Sequence, residues 1–189
     1  DIFIVQDEMS SEILELLQLD LGVGKYAKTF AHNFNTIEDL TTFLNWIRVW
    51  RRGTIESHEE AQGLFDQLKA KYTNENAAMY VMEAWQLSQR LLMQLSSEPE
   101  TDKERLKFIL DRNIDLHPEE TDNYNARALI SLLNFNGSCE DAIKDIKQAE
   151  TNGQNQETLL IGAGVYTRCG EKKRAISSLQ KVLKIVPND

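Results

Sequence analysis

The sequence predicts an all-α protein made of antiparallel helix pairs stacked one on the next, with a smaller helical module at its N-terminal end. Four observations predict this. Apolar residues recur at intervals of three and four, as in Ile13, Leu14, Leu16, Leu17 and again in Leu64, Phe65, Leu68, which is the spacing of one helix face. Gly and Pro number 9 and 3 among 189 residues, too few for a turn-rich β protein. Ile2 to Val5 is the only weak strand candidate. Finally, one pattern of apolar, small and turn residues returns after 33 residues.

The elements follow in order. Ser10-Ser11-Glu12 opens a first helix. Asn35-Thr36-Ile37-Glu38-Asp39 opens another, with Glu38 and Asp39 suited to its positive end. Gly53, Gly137, Gly153 and Gly170 sit where helices end or turn. Residues 96–102 form a polar turn between two helices, and Pro118 and Pro187 each follow a helix with a Leu/Ile-rich last turn. Paired helices are expected near 123–136 and 139–151, then near 156–169 and 171–185. The start without Met and the stop just after Pro187 read as cuts within or beside a longer array.

The repeat is the strongest signal. Around Gly170, Tyr166 lies four residues before, and Ala175, Leu179, Val182 and Pro187 lie five, nine, twelve and seventeen after. Around Gly137, Leu133, Ala142, Ile146 and Ala149 take the matching offsets. The Gly ends the first helix, the Ala admits close approach of the second, the large residues fill the groove, and the Pro stops the second helix. With Leu159, Ala163, Ala126 and Leu129 added, this resembles the tetratricopeptide repeat family. The resemblance is specific over about 121–187, weaker over 75–120 and poor before 42. Ile130 departs from the pattern, in a slot the family fills with a small residue. Two further second-helix candidates contain Ala61, Phe65 and Leu68, and Leu106 and Leu110. The resemblance implies a superhelical solenoid over about 74–189.

Residues 1–73 form the N-terminal module. Leu21-Gly22, then Tyr26 and Phe30, then Ile37 and Leu40 resemble a sterile alpha motif domain, which implies oligomerisation or protein binding. The same region also fits an atypical helical cap of the solenoid. Both readings use residues 59–72 and they exclude each other in part.

Composition narrows the function. A net charge of −9 argues against whole-protein attraction to nucleic acid or anionic lipid. No run approaches 18 apolar residues, so no membrane span is expected. Cys139 and Cys169 make no disulfide framework; they read as small packing residues in a reducing, cytoplasmic setting. His32, His58 and His117 lack zinc-ligand spacing. Gly162-Ala163-Gly164 lacks the third glycine and the strand of a dinucleotide loop; it reads as close helix packing. No phosphate loop or nucleophile elbow is present. No enzyme, cofactor or metal is expected.

The family resemblance implies a non-enzymatic adaptor or scaffold whose first helices line a concave face. That face would hold Tyr124, Arg127, Ser131 and Asn134 from one pair, and Leu160 and Arg168 from the next, and would take a partner peptide or helix. The lysines Lys144, Lys147, Lys172 and Lys173 would lie on the opposite, convex side. The Lys/Asn carboxylate clamp of chaperone-binding repeat proteins is not reproduced. The alternative partner is RNA. Residues 125–150 and 165–175 are similar to the interferon-induced tetratricopeptide proteins, which implies RNA binding in a basic channel. Trp46, Arg48, Trp50, Arg51 and Arg52 interleave aromatic and cationic residues, and Lys172, Lys173 and Arg174 form a second basic cluster. Trp46 and Trp50, four apart, equally fit one buried helical stripe.

Overall fold

The structure, a computed structural model, describes residues 30–72 and 75–185. The expected helix at Ser10, the strand candidate at Ile2 to Val5, the Leu21 and Tyr26 signals and Pro187 lie outside the described residues. Among those described there is no strand. Eight α-helices follow a short 3-10 turn at Ala31–Asn33. They are α1 (Ile37–Trp50), α2 (Ile55–Lys69), α3 (Ala77–Leu92), α4 (Pro99–Leu116), α5 (Thr121–Asn134), α6 (Cys139–Asn152), α7 (Gln156–Arg168) and α8 (Lys172–Ile185). The chain divides into two compact units, one ending at Lys71 and the other starting at Tyr72.

The first unit is a helix pair around an aromatic run. Thr36 caps α1 by accepting from the Asp39 amide at 3.1 Å, and Thr54 and Ser57 cap α2 reciprocally. Phe43 meets Phe30 edge-on at 5.2 Å between ring centroids and stacks on Trp46, which stacks in turn on Trp50. Ala61, Phe65 and Leu68 bring the apolar face of α2 into this unit's core. The Asp39 carboxylate, almost buried, accepts from Lys71 Nζ at 2.6 Å.

In the second unit each helix packs on the next, and α3, α5 and α7 also touch in sequence. One core joins Tyr80, Ala84 and Leu87 of α3 to Leu106, Ile109 and Leu110 of α4 and to Ala126 and Ile130 of α5. A second joins Ala128 of α5, Ala142 and Ile146 of α6, Val165 and Tyr166 of α7, and Ala175 of α8. Ala142 and Ala175 are both buried, as the close crossings require. Gly162 belongs to such a crossing, since a Cβ there would stand 3.2 Å from Ile146 Cγ2. Gly164 faces open space.

Two expectations are corrected. Residues 96–102 are not all turn: Pro99 is the first residue of α4, where its missing N–H costs nothing and its fixed φ suits the helix. Cys139 and Cys169 are not separate packing residues. They form a disulfide with Cα atoms 5.5 Å apart, tying the start of α6 to the end of α7. No described helix is long and apolar enough to cross a membrane.

Candidate functional site

The site grows from the arginines of the second unit, which fasten helices to each other. Arg105 of α4 makes two bonds of 2.9 Å to the Glu83 carboxylate of α3. Arg90 of α3 is paired in the same forked way with Asp102 of α4. Arg127 of α5 grips Asp145 of α6 at 2.8 and 2.7 Å and reaches Asp111 of α4 at 3.1 Å. Planar guanidinium against planar carboxylate makes these the strong form of charged hydrogen bond. The Asp145 bonds, opposed by desolvation, raise the Arg127 pKa well above its ordinary range, and the hydrogen bonds to Glu83 raise that of Arg105.

Around Arg127 lies an open groove of about 580 Å3 between α4, α5 and α6. Leu110, Phe135 and Ala142 give it an apolar part. Lys107, Lys144, Asp111 and Asp141 give it charges of both signs, and Ser131 adds a hydroxyl. Such a mixture on three packed helices can hold an extended peptide or a helix through a few anchors. Among the described residues no group of three or more His, Cys, Asp or Glu is arranged to hold a metal ion.

The expected partner-binding residues differ in what they touch. Arg127 and Ser131 line the groove. Asn134 donates to Ser88 Oγ of α3 at 2.8 Å, so it fastens α5 to α3. Tyr124 is half-buried on α5, while Leu160 and Arg168 are exposed on α7. Arg127 was expected on the concave face of the first helices, with Lys144 on the opposite side. The structure instead turns Arg127 toward the second helices α4 and α6, so that it shares a groove with Lys144. The reason is Asp145, an acid within the apolar stripe of Ala142, Ile146 and Ala149, which draws the guanidinium across. Lys107, Asp111, Phe135 and Asp145 were not singled out by sequence reasoning. The acid in that stripe was the available signal.

The residues considered for RNA divide likewise. Trp46 is 2% exposed and stacked between Phe43 and Trp50, so no base can stack on it in this arrangement. Trp50 is half-buried. Arg48, Arg51 and Arg52 are exposed; Arg48 bonds Asn45 at 2.7 Å and Arg52 pairs with Glu60 at 3.1 Å. Lys172, Lys173 and Arg174 are exposed in the first turn of α8, and Arg174 also lies over the Tyr166 ring.

No protein-family model matches the chain, and no curated protein or solved structure matches it.

Proposed function

We propose that the chain is a non-enzymatic protein-interaction scaffold of the tetratricopeptide-repeat type, and that it holds a partner peptide or helix in the groove between α4, α5 and α6. The observation that carries this is the groove itself: apolar at Leu110 and Phe135, charged on both sides, and braced by Arg127 across three helices. The repeat reading draws support from packing. Asn125 Nδ2 donates to Thr158 Oγ1 at 3.1 Å, and the two residues are one period, 33 positions, apart. That bond joins equivalent positions of α5 and α7. The module holding α1 and α2 is either a helical cap or a sterile-alpha-like unit, and self-association is its proposed role. The disulfide favours an oxidising compartment for the working protein over the cytoplasm.

The test is a selection of phage-displayed peptides against the full chain, followed by titration on Lys107→Glu/Lys144→Glu. Both lysines are exposed, so the fold should stand. Loss of about tenfold in affinity, roughly 1.4 kcal/mol, is expected. Unchanged affinity there, with loss in Leu160→Ala/Arg168→Ala, would move the site to the first-helix face. The RNA reading rests on exposed Arg48, Arg51 and Arg52 with half-buried Trp50, and on Lys172, Lys173 and Arg174. It demands binding of single-stranded RNA that falls steeply between two salt concentrations.

A further inference from the structure

The turn between α5 and α6 carries a chemistry that the groove does not use. Asn136-Gly137-Ser138 is an Asn-x-Ser triplet without Pro at its centre, the acceptor pattern for an N-linked glycan. Such a triplet occurs once in the chain.

The fold leaves this asparagine accessible. Asn136 follows the C-cap of α5, is exposed, and has φ at 50°, the left-handed position where Asn or Gly closes a helix. Its side chain has no hydrogen-bond partner among the described residues. Asn45, Asn76, Asn134, Asn152 and Asn155, by contrast, each commit their carboxamide to a bond. The turn packs tightly at its middle residue, where a Cβ on Gly137 would stand 3.0 Å from the Ser131 backbone. It is open at Asn136.

An independent sign is covalent. Cys139, one residue past the triplet, is exposed and bridged to Cys169. Bridges persist in the oxidising lumen of the secretory route and beyond it. N-linked transfer takes place in that same lumen, so the triplet and the bridge point to one compartment.

We propose that Asn136 is a site of N-linked glycosylation. The donor is a lipid-pyrophosphate-linked oligosaccharide. Asn136 Nδ2 bonds the anomeric carbon of its first sugar. The bond from that carbon to the pyrophosphate oxygen breaks, the electron pair leaves on the oxygen, and Nδ2 gives up one proton to a base. The hydroxyl required two residues on is that of Ser138. In the folded chain this hydroxyl accepts from the Glu140 and Asp141 amides, a duty that begins only when α6 forms. Phe135, Gly137 and Ser138 line the groove, so the sugar stands at its rim. Glycosylation here depends on the oxidising compartment proposed above, not on what the groove holds.

The test has two arms. The full chain is sent into the secretory route of a mammalian cell by an added leader, and it is also recovered from its native source. In both, the peptide spanning Asn136 should carry an N-acetylglucosamine-based sugar by mass spectrometry. In the mammalian cell, Asn136→Gln and Ser138→Ala should abolish the sugar, and Ser138→Thr should keep it with unchanged circular dichroism. Thiol alkylation of the native sample reads the bridge. A bare Asn136 in the secreted chain, or in all of the native chain, overturns the proposal. If the native cysteines are then bridged, the compartment reading stands without the glycan; if they are free, both fall.

Discussion

Arg127 engages two carboxylates on two different helices, and this decides what its loss does. The Asp145 side chain is only 10% exposed, and each of its carboxylate oxygens accepts from the guanidinium. Arg127→Ala leaves that carboxylate desolvated and without its forked partner. It should lower stability by about 1–3 kcal/mol in urea unfolding, rather than act on binding alone. In the double variant Arg127→Ala/Asp145→Ala the loss should be clearly less than the sum of the two single losses, because one interaction is removed twice. A second residue reports on pH. Burial raises the Tyr166 phenol above its ordinary value, with Glu150 adding to the effect. The unfolded chain therefore ionises this phenol first, so its contribution is whole below about pH 10 and fades as pH climbs beyond it. Tyr166→Phe should flatten that alkaline decline, and absorbance near 295 nm should show one phenol titrating late. At this scale the sequence identified Arg127 and missed its role. Its partner lies 18 residues away, and which helix face an arginine takes depends on where the nearest buried acid sits.

Helices were more legible than sites. The expected pairs near 123–136 and 139–151, and 156–169 and 171–185, meet α5 to α8 within about two residues. Short-range chemistry explains this. Ser138 accepts from the amides of Glu140 and Asp141, Asn155 accepts from that of Thr158, and Gly170 takes a positive φ at the turn before α8. Each such signal lies within a few residues of the boundary it sets. At α4, the Pro that starts the helix was read as part of the preceding turn, since Pro serves both. The close crossings give the sharpest test at this scale. Ala175 is 5% exposed within the core shared by α5, α6, α7 and α8. Ala175→Leu should overpack that crossing and cost about 1–3 kcal/mol, read as a lowered urea midpoint with unchanged slope. Exposed Ile176→Ala, one residue on, should change stability by less than about 0.5 kcal/mol.

Across the whole molecule, the least legible feature is the covalent one. Cys139 opens α6 and Cys169 directly follows the last residue of α7, so both arrive at the same end of this helix pair. Counting cysteines says nothing of this; the packing of α6 against α7 brings them together. By the chain-entropy relation a closed loop of this length stabilises the fold by about 3–4 kcal/mol. Cys139→Ser/Cys169→Ser should lose a comparable amount, and a dithiol reductant should do the same to the parent chain.

The bridge also alters how the chain carries load. Tension applied at the two ends passes from Cys139 straight to Cys169, because 30 residues of backbone are short-circuited by two sulfur atoms. The α6–α7 pair then sits in a slack side branch. Pulled between its ends in an optical trap, the oxidised chain should extend fully while still withholding about 100 Å of contour, at roughly 3.3–3.6 Å per residue. Adding reductant under tension should release that length in a single step. A trace with no such step would mean that the two ends of the loop were never joined.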